Sequence, residues 1–438
     1  MESEMTQDRK ISPISWIPTA YFAMGLPFVA ISLAAVIMFA DLGVDEASIT
    51  FWTSLLILPY SLKPLWSPLL ELYFTKKTFA VACQLLSGFC FALIVFCLPL
   101  PSSFAYAIAI MGVIAFSGAT NDIATDGIYL TAIDKKTQAE YIGWQGAFYN
   151  LAKVLVNGGL VYLAGMLITH FKEEDPEMAP TYAWMIIMGI VAACLILISI
   201  YHCFFLPTGS KNEESPSTFK DAMVSLWDVF KDFFLKKYIW LYILFIVCYR
   251  LTEGFAVKMV PLFLKAPVAD GGLGMSNESI GLIYGTFGTV AFIVGSILGG
   301  YYIAHFSLKK VLFSLVCIFN IPFVIYLLFA KFQPDNLIII GTGLVTEYFC
   351  YGFGFVGLTL FMMQQVAPGK HPMAHYAFAS GIMNLGFMLP GMVSGLIYQH
   401  VGYEAFFTFA LIMSVPAFIL AAKIPFSHTS ENTKPQEN

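Results

Sequence analysis

Charge is scarce in this chain, and the scarcity sets its class. Only 12% of the 438 residues are Asp, Glu, Lys or Arg, while 58% are apolar and 16% aromatic, at a mean hydropathy of +0.75. A soluble domain carries about 25% charged residues. The balance therefore excludes one and predicts a multi-pass membrane protein, with the lipid bilayer as its solvent. Several signatures are missing as well. No Gly-x4-Gly-Lys-Ser/Thr loop occurs, which removes ATP as a driving force. No Ser-His-Asp or metal-hydrolase pattern occurs, so the chain does not read as an enzyme, and no cofactor, metal or nucleic acid is expected. None of the eight cysteines (83, 90, 97, 194, 203, 248, 317, 350) forms a Cys-x-x-Cys pair. Cys83, Cys90 and Cys97 repeat every seven residues and read as a packing stripe. The seven histidines fall at span ends or in tails, so His371-x3-His375 is not taken as a metal site and any proton coupling must run through carboxylates. There is no cleavable leader pattern before the first apolar run, which is expected to act as its own insertion signal.

What is present is hydrophobic length. Twelve apolar spans run roughly over 13–40, 49–71, 78–100, 103–133, 140–170, 180–206, 238–264, 276–302, 309–331, 335–365, 372–398 and 402–424. Placing both termini in the cytoplasm puts sixteen Lys or Arg inside, among them Arg9, Lys10, Lys76, Lys77, Lys211, Lys309, Lys310 and Lys434. Only Lys172, Lys265 and Lys331 then fall outside. The longest loop divides the chain into a six-helix bundle over 1–207, a cytoplasmic linker over 208–237 and a second six-helix bundle over 238–438. In the linker, Ser217-Thr218 is placed to cap a helix. From Phe219 to Phe234 apolar residues recur at three and four with Lys and Asp between them, the pattern of an amphipathic helix on the inner membrane surface.

The two bundles repeat. Ser48-Ile49 matches Ser279-Ile280, Lys76-Lys77 matches Lys309-Lys310, Ala139-x-Tyr141 matches Ala374-x-Tyr376 and Asn150-Leu151 matches Asn384-Leu385, at offsets of 231 to 235. A parallel six-plus-six repeat resembles the architecture of major facilitator transporters, in which the substrate sits near the midplane between two rocking bundles.

Against this apolar background eight ionisable residues stand at membrane depth: Lys63, Asp122, Asp126, Lys153, Arg250, Glu253, Lys258 and Glu347. A charge at mid-bilayer costs about 2.5–3.5 kcal/mol even on the insertion scale. Four positive and four negative groups could pair internally. Asp122 and Asp126, four residues apart in span 4, project from one helix face. At about 1.5 Å per residue, Lys63, Lys153, Arg250 and Glu347 come near the midplane, with Asp122 and Asp126 nearer the cytoplasm. Span 5 carries a polar stripe of Gly146, Asn150, Lys153 and Asn157. A network that merely locks helices together would also use such charges. Small residues achieve packing without burying charge, however, and span 8 supplies Gly281, Gly285, Gly288, Gly295 and Gly299 for that. The span 10 positions equivalent to Asp122 and Asp126 fall near Gly357 and Phe361, so the architecture does not require the acid pair.

Gly25-Leu-Pro27-Phe28, Leu58-Pro-Tyr60-Ser-Leu-Lys63-Pro-Leu-Trp66-Ser-Pro68-Leu-Leu-Glu71 and Ala119-Thr-Asn121-Asp122-Ile-Ala-Thr-Asp126-Gly resemble the AmpG muropeptide permease family. That family is in turn similar to the acetyl-coenzyme A transporters of the endoplasmic reticulum. The resemblance covers spans 1 to 5 and departs from the family at Asn121, where Gln is usual, and at Glu71, where Asp is usual. It implies proton-driven import of anhydro-muramyl saccharides and their peptides across a bacterial inner membrane, with Lys63, Glu71, Asp122 and Asp126 carried over. The expected site is then as follows. Asp122, Asp126, Glu253 and Glu347 are proton-coupling candidates. Lys63, Lys153 and Arg250 partner those acids or an anionic group of the substrate. Tyr60, Asn121, Tyr149, Asn150 and Asn384 contact a sugar. A related glycan-fragment symporter fits equally well, and an organic-anion or acyl-coenzyme A carrier of the same fold is the alternative. The protein is expected to act as a monomer.

Overall fold

The computed structural model describes residues 11–67, 70, 74–209 and 219–427, which are helices joined by short turns with no strand among them. Glu71, the Ser217-Thr218 cap and the cations Arg9, Lys10, Lys211 and Lys434 lie outside the described residues. Nine helices among those described are long and apolar enough to cross a bilayer. The twelve spans are recovered once the breaks are read. Pro372–Lys423 contains spans 11 and 12, turned at Gly402 with φ 74° and ψ 175°, a conformation that suits glycine. Spans 2 and 7 fall short of the length only because each is interrupted. All eight cysteines are free thiols, with Cys248 buried, Cys203 exposed and the others partly buried.

Both interruptions have local causes. Span 2 opens at Asp45, whose carboxylate accepts the Ser48 N–H at 2.9 Å, and continues as Glu46–Leu55, Leu58–Leu62 and the tighter turn Lys63–Leu65. Pro59 and Pro64 each remove a backbone donor and crowd the preceding turn, so the helix cannot run straight through Lys63. Span 7 breaks at Arg250, φ −99° and ψ 6°, between Ile239–Tyr249 and Leu251–Lys265. Wider π-helical turns occur at Ala30–Ala34 in span 1, Val154–Leu160 in span 5, Ile280–Phe287 in span 8 and Met362–Val366 at the end of span 10. Span 4, by contrast, is an unbroken helix over Ser103–Ala132.

Twelve passes place the starts of spans 3 and 9, with Lys76 and Lys309, on the same face as the linker. The linker helix Phe219–Phe234 forms as the periodicity predicts. Its Phe233 is buried against Phe378 and His375 of span 11, while Val224 and Trp227 remain exposed. Just after it, the Lys236 ammonium donates to the carbonyls of Val366, Ala367 and Pro368, closing the C-terminal end of span 10.

Candidate functional site

A cavity of about 320 Å³ opens at the centre, walled by spans 1, 2, 4 and 5 on one side and by spans 7, 8, 10 and 11 on the other. On the face opposite the linker it is closed by contacts between the first six and the last six spans. Gly395 N–H of span 11 donates to Thr50 of span 2 at 3.1 Å. In spans 8 and 5, a Cβ on Gly285 would stand 2.0 Å from the Asn157 carbonyl. Farther out, Asp41 at the end of span 1 accepts from Trp184 of span 6 at 2.8 Å and from Asn277 of span 8 at 2.6 Å. It also pairs with Lys265 of span 7. Towards the linker face the polar stripe of span 5 runs out into open space, since Gly146 is exposed and nothing lies within 4 Å of its Cβ position. The cavity is thus sealed opposite the linker and opens towards it.

The charges sort into distinct environments. Lys63 Nζ lies 3.5 Å from Asp122 Oδ2, bringing the broken span 2 against the straight span 4. Asp122 Oδ1 is buried without a partner among the described residues. Tyr60 sits beside them, its hydroxyl seated on Gly118, where a Cβ would come within 2.1 Å. Across the cavity, Arg250 Nε donates to Glu253 Oε2 at 2.6 Å, and a second guanidinium nitrogen engages Oε1. Tyr351 also donates to that oxygen at 2.7 Å. The guanidinium carbon lies 5.3 Å from the Phe355 ring centre and 4.6 Å from that of Phe387. The break at Arg250 lets this i,i+3 pair face the cavity. Lys153 extends between the rings of Tyr149 and Phe292, 5.3 and 5.4 Å from their centres. The Lys258 ammonium reaches across to the carbonyls of Ser32 and Thr53. Lys63, Asp122, Lys153, Arg250, Glu253, Tyr60, Tyr149 and Asn384 therefore all line one cavity.

Four expected site residues stand elsewhere. Asp126 lies one turn nearer the linker face, where it is exposed and accepts from Tyr21 at 2.9 Å. Glu347 is buried in a side chamber walled by Tyr284, Tyr326, Tyr348 and Tyr351, and it accepts from Tyr326 at 2.7 Å. Asn121 is turned away from the cavity. One residue along a helix rotates a side chain by about 100°, so it faces span 3 and accepts from Gln84 at 3.0 Å. Gln84 in turn bonds His202, and His202 bonds Thr19, a buried polar string across spans 4, 3, 6 and 1. Asn150 turns back on its own helix, donating to Gly146 O at 2.8 Å. The complete internal pairing that equal charge numbers allowed is not what forms. Two acids find cations, Asp126 and Glu347 settle for tyrosines, and Lys153 and Lys258 have no carboxylate among the described residues. The sequence reading missed the aromatic wall of Phe28, Phe292, Tyr348, Phe355 and Phe387. In so aromatic a chain nothing marks those rings out. It also missed the Asp41 cluster, whose members stand at or near the ends of spans 1, 6, 7 and 8, because hydrophobic length does not show which span ends meet.

The Major Facilitator Superfamily profile matches residues 19–266 and 250–437. The "Anhydromuropeptide permease" of Escherichia coli (strain K12) is 26% identical over 426 residues, 95% of this chain and 80% of that one. The "Putative transporter AmpG 1" of Rickettsia bellii is 23% identical over 385 residues, 85% of this chain and 88% of that one. Among solved structures, a bacterial homologue of the human lysosomal transporter Spinster, inward-facing and unoccupied, superposes with a TM-score of 0.70 at 14% identity, covering 96% of both chains. The nucleoside transporter NupG gives 0.66 at 15% identity, covering 93% of this chain and 97% of that one. A twelve-span helical architecture around a charged central cavity, matched along nearly its whole length, makes this chain a member of the major facilitator superfamily and an AmpG-like permease within it.

Proposed function

We propose that the protein imports anhydro-muramyl saccharides, their peptides or related glycan fragments with protons across a bacterial inner membrane, as a monomer with both termini and the linker in the cytoplasm. Bundles over 1–207 and 238–438 would rock about the central cavity, tied by the 208–237 linker. The observation that carries this reading is the Lys63–Asp122 pair on the cavity wall. A proton arriving on Asp122 removes the negative charge and releases Lys63. Loss of that proton restores the pair. The electrostatics of the cavity therefore differ between the two protonation states, which is what a symporter needs to link a proton to a change of conformation. Arg250–Glu253 offers a matching pair on the opposite wall, and the curated relatives named for muropeptide permeation and AmpG transport support the substrate class.

An acyl-coenzyme A carrier would need several cations converging on one phosphate-rich ligand. Here Lys63 and Arg250 are already paired and Lys258 is bound to carbonyls, so the glycan reading is favoured. The test is uptake of labelled anhydro-N-acetylmuramyl tripeptide into proteoliposomes under an imposed pH gradient. Accumulation that a protonophore abolishes is expected. Uptake indifferent to both gradient and protonophore would overturn the coupling, and no uptake would overturn the substrate class.

A further inference from the structure

The cavity wall does not balance its charge. Lys63, Lys153, Arg250 and Lys258 line it against Asp122 and Glu253. Lys63 and Arg250 hold those two acids. Lys258 is spoken for by the Ser32 and Thr53 carbonyls and is 1% exposed. Lys153 has only two ring faces for company, with no carboxylate, carbonyl or side-chain acceptor bonded to it among the described residues. A cation facing a confined membrane cavity without a counter-charge is a costly arrangement unless an anion visits it. Two neutral polar side chains lining the same cavity are likewise without a protein partner among the described residues. Asn157 lies one turn along span 5, and Asn384 lies across the cavity on span 11.

We propose that Lys153, with Asn157 and Asn384, forms a subsite for an oxyanion of the substrate, either a carboxylate or a phosphate. This residue then makes the transporter select anionic over neutral ligands. The inference rests on the proposed import function and assigns to one residue what that function leaves open. Tyr149 and Phe292 flank the ammonium and give the neighbouring saccharide or apolar part a face to stack on. The paired cations are unsuited to this role. An anion that took Lys63 or Arg250 would strand Asp122 or Glu253, whereas one that took Lys153 displaces nothing.

The experiment compares equilibrium binding of anhydro-N-acetylmuramic acid and its uncharged amide by the purified full-length protein, wild type against Lys153→Gln and Lys153→Arg. The acid should bind wild type about tenfold more tightly than the amide, the scale of a charge-assisted hydrogen bond. The ratio should fall to about one in Lys153→Gln and return in Lys153→Arg. Melting temperature in detergent establishes that each variant is folded. Equal binding of acid and amide by wild type, or a preference that survives in Lys153→Gln, would overturn the subsite. Benzoate and phenyl phosphate against neutral benzamide repeat the comparison without a glycan. A Lys153-dependent anion preference there supports the subsite even if no saccharide is transported. Its absence defeats the subsite even if saccharide transport is intact. The stronger of the two probes identifies carboxylate or phosphate as the preferred group.

Discussion

A carboxylate at membrane depth survives by finding a partner or holding a proton, and Asp122 is arranged for both. One oxygen faces Lys63 and the other is buried with no partner among the described residues. Asp122→Asn, uncharged in every state, is expected to abolish accumulation driven by a pH gradient in proteoliposomes. Substrate counterflow, which needs no net proton movement, should persist. Full gradient-driven accumulation by the variant would move the proton site to Glu253 or Glu347. The second pair makes a different prediction, about stability. Arg250 and Glu253 are both buried, and truncating one side of such a pair costs about 3–5 kcal/mol because the other charge is left behind. Arg250→Met should lower the melting temperature in detergent, and Arg250→Met with Glu253→Met should recover most of the loss. Equal destabilisation by the double variant would mean that the shape of the break, and not the charge, is what matters. Position along the span was legible for these residues, because counting from the span ends gives it directly. Direction was not. Span 4 is apolar and small on several sides, so nothing in its pattern separates the cavity-facing Asp122 from Asn121, which the Gln84–His202 string turns towards span 3.

Small residues and irregular turns mark the elements that an alternating-access cycle would have to move. Gly281 and Gly285 bring span 8 against span 5 of the other six. A Cβ on Gly285 would meet the Asn157 carbonyl at 2.0 Å, and one on Gly281 the Gly158 carbonyl at 2.7 Å. Gly295 and Gly299 instead receive span 10, with the Phe349 and Phe353 carbonyls at 2.0 and 2.4 Å. The glycine stripe was readable as a packing surface, but one stripe serving two partners was not, since periodicity carries no information about what lies opposite. Gly285→Ala forces spans 5 and 8 apart and should weaken closure on the face opposite the linker. The expected readout is faster labelling of a cysteine placed at Thr50 by an impermeant thiol reagent from that face. The companion Gly295→Ala, within the last six spans, should lower stability without speeding the labelling. Identical effects of the two substitutions would show that spans 5 and 8 form a fixed contact and not a gate. The π-helical turns escape a sequence reading altogether. The one in span 1 follows Pro27, and its Ser32 offers the carbonyl that the Lys258 ammonium takes.

At the scale of the whole molecule, the twelve spans and the linker helix were legible because hydrophobic length and apolar periodicity are one-dimensional signals. One contact that ties the two sets of six together on the sealed face was not. Asp41 alone gathers Trp184 from its own six spans and Asn277 and Lys265 from the other six, and it does so on the face where the cavity is sealed. Asp41 is largely buried and Lys265 partly so, which makes the pair stronger than an exposed surface ion pair. Alternating access requires that face to open, and opening separates Asp41 from Lys265 and Asn277 while leaving Trp184 with it. The cluster therefore stabilises the arrangement open towards the linker relative to its opposite. Asp41→Asn keeps the shape and removes the charge. A loss of about 1.4 kcal/mol would shift the balance between the two arrangements about tenfold. Spin labels on the ends of spans 1 and 7 should then report a larger fraction of long distances across the closed face. Lys265→Met should give the same shift, and the double variant little more than either alone, because both remove one interaction. If the two shifts simply add, Asp41 and Lys265 act through separate partners. Asn277, which donates to Asp41 and accepts from Lys265, would then carry the contact, and the closed face would depend on a hydrogen bond less sensitive to salt than an ion pair.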